Sequence, residues 1–338
     1  MSLISQISQL RSLSIIGMAK NTGKTVSLNY ILEQLRATGR VVAVTTIGLD
    51  GEKTDQVTLT EKPEITLAPG FFFVTSEYHY RQRQLLSEIY DVSGEMTSLG
   101  RLVTARVLQE GKVILSGPSS TSRVRELIQR MDPLGVDLTI VDGALSRKSH
   151  ASPAVTDGLI LNTGAAIAAD FNSIVTKTKF VYQLTQLPEY VCENSEELFS
   201  YDSGIYALEG DSVFRLPIAS PLLFTKCKEQ LFSHGNTLYV SGIVTDNMLD
   251  YLRLQPNIKD LVLVVKDFTK VFATPYVLQG YLQKGGQLKV LKQPNLMAIC
   301  VNPTSPTGFK VDSQQLQDAL SAIVHVPVYD VMLLDGCV

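Results

Sequence analysis

The chain has 338 residues, 45% of them hydrophobic and 19% charged, which suits two globular domains better than one core and excludes a disordered or fibrous class. Lys and Arg (30) nearly balance Asp and Glu (33), giving a formal charge of -3, so no overall field recruits nucleic acid or an anionic membrane. Cys192, Cys227, Cys300 and Cys337 stand far apart, with no CxxC pair and no histidine at metal-ligand spacing, a pattern that favours buried reduced thiols.

The N-terminal MSLISQISQLRSL lacks a basic region followed by a continuous apolar run, so it does not read as a secretory signal. No segment approaches the ~20 apolar residues that cross a bilayer. Together these features predict a reduced, cytoplasmic protein.

In chain order, residues 13–17 (LSIIG) read as a buried strand. A glycine-bearing loop follows. TVSLNYILEQLRATG then carries apolar residues at Val26, Leu28, Ile31, Leu32 and Leu35 before Gly39, the spacing of an amphipathic helix with a glycine stop. VVAVTTIG (41–48) predicts a second strand, followed by the acidic turn LDGEKTD, a strand at 71–76 (FFFVTS) and a helix over 80–90. KVILSGPSS and DLTIVDGALSR each end an apolar run in small or acidic residues, and STSRVRELIQRM between them has a serine or threonine cap and helical spacing. GLILNTG predicts a further strand, and 170–187 a helix.

Near residue 190 the texture becomes polar and turn-rich. A second set of strands follows at 237–242, 261–267, 287–292 and 296–303, with helices over 245–254, 275–284 and 313–324. The alternation predicts an α/β fold with a mostly parallel sheet flanked by helices over 1–190 and a second, smaller α/β domain over 191–338 for a partner or substrate.

GMAKNTGKT, residues 17–25, ends like a phosphate loop, but five residues separate Gly17 from Gly23 where GxxxxGK[ST] has four. In a phosphate loop, glycines let backbone N–H groups turn toward phosphate oxygens, the helix N-terminus adds partial positive charge, the lysine bridges the outer phosphates and the hydroxyl binds magnesium. Here Gly17, Lys20, Asn21, Thr22, Gly23, Lys24 and Thr25 are the candidate nucleotide contacts, Lys24 the catalytic cation and Thr25 a magnesium ligand. The alternative is a strand-to-helix turn that contains GKT by coincidence, against which the strand, loop, helix, strand context weighs.

Magnesium needs carboxylates. Asp142, at the end of LTIVDGA, stands where a strand would deliver a Walker B-like carboxylate that is both catalytic and metal-binding; a turn-capping aspartate would look the same. Asp50, Glu52 and Asp55 form a second source, with Asp50 the first choice and Asp55 in reserve, although such a cluster also makes an ordinary solvated turn. Thr45, Thr46, Ser116, Arg147, Lys148, Asn162 and Thr163 lie at presumed strand ends and could share one crevice. None of His79, His150, His234 and His325 falls in a recognisable nucleophile or metal pattern.

The GxxxxxGKT spacing and the VDGA turn resemble those of dethiobiotin synthetase and related amidotransferase-type synthetases, which implies a P-loop NTPase domain using ATP and Mg2+, with an acidic residue after the second strand completing the metal shell. The loop is less similar to that of partitioning ATPases, whose second lysine would fall at Ala19; Lys20 sits one place later and is given no catalytic role. The substrate-binding lysine motif of dethiobiotin synthetase is not evident at TTIGLDGEKTD, and that enzyme is a shorter chain.

The phrases GMAKNTGKT, TTIGLDGEKTD, KPEITLAPG, SLGRLVTARVLQEGKVILSGPSS, IVDGALSRKS, VNPTSPTGFKVDSQQL and VPVYDV together resemble the ATP-binding reactivating component of adenosylcobalamin-dependent lysine 5,6-aminomutase and ornithine aminomutase systems. That resemblance implies an ATPase that helps release damaged cobalamin from a partner mutase. A homo-oligomer or hetero-complex is expected. No DxHxxG-type cobalamin motif is present. A small-molecule kinase or ATP-dependent ligase, and a nucleotide sensor without turnover, are the alternatives.

Overall fold

A computed structural model describes residues 3–48, 65–144, 156–218, 220, 222, 224 and 230–334. The chain divides into two compact units, one of residues 1–179 and 295–338 and the other of 180–294.

In the larger unit, the short α1 (Leu3–Ile7) leads to β1 (Ser12–Gly17), α2 (Lys24–Arg36) and β2 (Val42–Thr46). β3 (Ile65–Leu67), β4 (Phe72–Ser76) and a single turn, α3 (Glu77–Tyr80), follow. A long hairpin, β5 (Gln84–Thr97) and β6 (Gly100–Val113), precedes α4 (Thr121–Met131), β7 (Leu138–Ala144), β8 (Gly158–Gly164) and α5 (Phe171–Thr185), the helix within which the smaller unit begins at Phe180.

The smaller unit contains α6 (Ser195–Ser200), β9 (Ile205–Glu209), β10 (Ser212–Arg215), β11 (Thr237–Val240), β12 (Val244–Thr245), α7 (Asp246–Leu252), β13 (Val262–Val265), β14 (Val271–Phe272), α8 (Pro275–Gln283) and β15 (Gln287–Val290). The chain then returns to the larger unit as β16 (Leu296–Asn302), α9 (Ser313–Ser321) and β17 (Val328–Tyr329).

The large sheet runs β17-β16-β8-β1-β7-β2-β4-β6-β3, with β5 paired to β6. From β17 to β4 every pairing is parallel. The hairpin adds the antiparallel edge. Parallel strands are covered on both faces, which is why β1 and β8 read as continuous apolar runs and are buried at every position. Leu28, Ile31, Leu32 and Leu35 of α2 pack on one face with Leu13, Ile15, Leu138, Ile140 and Ile160. On the other face Val124 of α4 meets Ile47 and Val141, while Ile174 of α5 meets Leu316 and Leu320 of α9.

In the smaller unit the sheet order is β10-β9-β11-β13-β15, with β11, β13 and β15 parallel and β9 and β10 antiparallel. Both units are therefore α/β, with mixed sheets flanked by helices, the larger sheet mostly parallel. Among the described residues no helix is long and apolar enough to cross a membrane.

Two sequence expectations are corrected. The helix expected over 80–90 is mostly strand β5, because its apolar residues belong to a bulged hairpin whose register shifts between Gln84 and Leu86 and between Ile89 and Asp91. The second domain expected over 191–338 ends near residue 294, since β16 pairs with β8 and β17 with β16 inside the large sheet.

Candidate functional site

β1 delivers Gly17 to the carboxyl edge of the large sheet, and the chain turns through residues 18–23 before α2 begins at Lys24. Gly23 has φ 83, a left-handed backbone that glycine adopts at little cost, and Asn21 has φ 62, which asparagine tolerates better than most residues. The loop then folds back on itself. The Thr22 hydroxyl donates to the Ala19 carbonyl at 3.0 Å, and a Cβ on Gly17 would stand 2.6 Å from that hydroxyl oxygen. The fifth residue between the glycines is thus absorbed by an internal turn.

Two asparagines from neighbouring strands hold this loop. Asn162 at the end of β8 accepts from Met18 N through its carbonyl at 2.9 Å, donates from Nδ2 to the Ile16 carbonyl at 3.1 Å, and accepts from the Ser27 hydroxyl at 2.6 Å. Asn302, the last residue of β16, donates from Nδ2 to the Asn21 carbonyl at 3.0 Å and lies against Gly23, where an added Cβ would be 3.0 Å from its own.

Lys24, the first residue of α2, reaches Asp142 near the end of β7, with Nζ 2.8 Å from each carboxylate oxygen. The two side chains are 17% and 9% exposed, so their attraction acts in a partly dehydrated setting. Asp142 is fixed from behind: its carbonyl accepts from Thr46 Oγ1 at 2.9 Å and from Ile47 N at 2.8 Å. The structure thus unites Gly17, Asn21, Thr22, Gly23, Lys24 and Asp142, residues 125 apart at the extremes of that set. Thr25 is half-buried in the first turn of α2, and Lys20 is exposed on the loop.

Further along the same edge, β2 and β4 pair at Ala43–Phe72 and Val44–Phe73. Beyond these pairs the segment around Ser116 enters: Ser116 N donates to the Val74 carbonyl at 3.2 Å, Gly117 N to the Gly48 carbonyl at 3.0 Å and Thr45 Oγ1 to the Ser116 carbonyl at 3.4 Å. His79 is buried there, its Nδ1 2.9 Å from Ser116 Oγ and 3.2 Å from Ser76 Oγ. Sequence spacing could not find this cluster, since Ser116 stands 37 positions from His79. Thr163 turns away from the edge, bonding Thr178 of α5 at 2.7 Å, so only Asn162 of that pair supports the loop.

Asp50, Glu52, Asp55, Arg147, Lys148 and His150 lie outside the described residues. Among the described residues no three His, Cys, Asp or Glu side chains converge as a metal cluster. Cys300 is buried in β16, where burial pushes its thiol up to about 12, and burial likewise raises that of Cys192. Both described cysteines are free thiols poorly suited to nucleophilic work. Comparison with protein-family models, curated proteins and solved structures returns no match.

Proposed function

We propose that this chain is a P-loop NTPase that binds Mg-ATP at residues 17–25 and hydrolyses it, and that the hydrolysis serves a partner protein. The observation that carries the reading is the Lys24–Asp142 pair, an ammonium at a helix start beside a glycine loop, set against a carboxylate at the end of the adjacent strand.

The residues fit the nucleotide and the metal. The close packing at Gly17 and the left-handed Gly23 keep side-chain bulk away from the loop backbone, whose N–H groups and helix N-terminus favour an anion. Asp142 already holds a cation, the Lys24 ammonium, so a cation-binding carboxylate is in place. Lys24 would hold the outer phosphates, and Thr25 and Asp142 the magnesium ion, with Asp50 or Asp55 as a further ligand. Magnesium, when bound, supplies charge neutralisation at the phosphates. The protein's part is to position: Asn162 and Asn302 fix the loop, and Thr46 fixes Asp142.

The partner reading, a reactivating factor for a cobalamin-dependent aminomutase, rests on the order of sequence phrases and on a second α/β unit without a glycine loop of its own. Lys24→Ala should weaken Mg-ATP binding tenfold or more, on the order of 1.4 kcal/mol, measured by calorimetry on a protein shown to be folded. Unchanged affinity would sink the nucleotide reading. ATP turnover stimulated by an aminomutase supports the partner reading, whereas stimulation by a small substrate favours a kinase or ligase.

A further inference from the structure

The smaller unit carries polar groups that the loop site does not use. Its parallel strands β11, β13 and β15 end side by side at Val240, Val265 and Val290. Open α/β sheets bind ligands beyond such carboxyl ends. There β13 runs directly into Lys266 and Asp267, and the 3-10 turn Phe268–Lys270 folds back so that Lys270 N donates to the Asp267 carbonyl at 3.1 Å. Lys266, Asp267 and Lys270 are only 4%, 0% and 8% exposed.

Burying an ammonium is unfavourable unless something replaces its hydration. The acidic group nearest Lys266 Nζ is Asp202, 3.9 Å away with a side chain 80% exposed, a contact weakened by water. Lys270 makes no ion pair or side-chain hydrogen bond among the described residues. Asp267 has the opposite deficit. Its Oδ1 accepts from Thr269 N at 2.8 Å and from the Thr269 hydroxyl, but its Oδ2 is buried with no hydrogen-bond partner. Burial holds the Lys266 ammonium below its usual pKa range; Lys270 adds to that effect, and Asp202 and Asp267 oppose it. Neither ammonium is sealed from water without a partner, so the cluster sets two reachable cations near one carboxylate oxygen that is buried without a donor.

We propose that this edge of the small sheet is a second ligand site, for a phosphate group that keeps a proton: Lys266 and Lys270 meet its anionic oxygens, and Asp267 Oδ2 accepts its O–H. Sulfate has the same shape but no proton at neutral pH. It would set an anionic oxygen against the buried carboxylate with no hydrogen between them, so the site rejects it. The inference goes beyond the nucleotide reading and stands without it, because every residue involved belongs to the smaller unit.

Residue-resolved acetylation of the full chain, read by mass spectrometry, tests this in the native protein and in Lys24→Ala, which removes the loop lysine. About 5 mM inorganic phosphate should slow acetylation at Lys266 and Lys270 by about fivefold or more, and sulfate at equal ionic strength by less than about twofold. Glycerol 3-phosphate distinguishes the sources: protection equal to that by phosphate assigns a monoester, and protection by inorganic phosphate alone assigns the free ion. Asp267→Asn, which keeps the Oδ1 acceptor, should let sulfate protect as well as phosphate. No protection by either phosphate, or equal protection by sulfate in the native protein, would overturn the proposal. So would an Asp267→Asn protein that still rejects sulfate.

Discussion

Lys24 and Asp142 neutralise each other at 2.8 Å, and the proposed nucleotide would compete for the same ammonium. Removing one partner of a largely buried pair leaves the other uncompensated, a cost we put at about 1–3 kcal/mol here because the pair keeps some solvent contact. Asp142→Asn should therefore lower stability to urea by that amount. An added polyanion should then restore more than it does in the native chain, because it meets a lysine with no counter-charge. Tripolyphosphate without magnesium isolates this effect from metal binding. Its thermal shift should be larger in Asp142→Asn than in the native protein, and a smaller one would mean that Lys24 does not face the anion. Both residues were legible in the sequence because each belongs to a short local pattern, Lys24 to the GKT after LSIIG and its loop, and Asp142 to the end of LTIVDGA. Their pairing was less so, since it depends on β1 and β7 being neighbours in the sheet.

The elements that hold the loop show where local patterns stop being informative. The strand, loop and helix over residues 12–36 were legible from their local pattern, an apolar run, glycines and a helical apolar spacing, although β1 pairs with strands more than a hundred residues away. The support from Asn302 comes from 281 residues away, on a strand that the sequence alone assigned to a different domain. An asparagine ending an apolar run before a proline was its one visible signal. Asn302→Ala removes the bond to the Asn21 carbonyl and the acceptor for Thr304 N, at a cost of about 1–2 kcal/mol. Hydrogen exchange should quicken in residues 18–25 while the strands of the smaller unit stay unchanged; equal quickening in both would mean a global loss instead. The hairpin β5–β6 misled for another reason. Leu85, Leu86, Ile89 and Tyr90 mimic helical spacing because bulges interrupt the alternation that a regular strand would show.

At the scale of the whole molecule, buried ionisable groups set an alkaline limit. Burial raises the Cys300 thiol from its usual 9.0 to about 12, and raises the Tyr239 and Tyr281 phenols above 10.0. Each folded pKa lies above the unfolded one, so the stability from keeping these groups neutral is intact below about pH 9 and declines as pH rises toward the folded values. Melting temperature should fall across that range, with part of the tyrosinate absorbance appearing only on unfolding; full tyrosinate formation in the folded protein would contradict it. The return of residues 295–338 to the larger unit leads to the sharpest expectation. Strand order is a non-local property, so LMAICVNP reads as a strand in the sequence without showing which sheet receives it. The structure places it beside β8, with Ile299, Leu316 and Leu320 wholly buried. Three such side chains contribute roughly 5–9 kcal/mol, within the range of about 5–15 kcal/mol that separates folded from unfolded domains. A chain ending at Pro294 should therefore lose amide protection in Ser12–Gly17 and Gly158–Gly164 while retaining it in Thr237–Val240 and Val262–Val265. Protection persisting in Ser12–Gly17 would show that the larger unit folds without its returning strand.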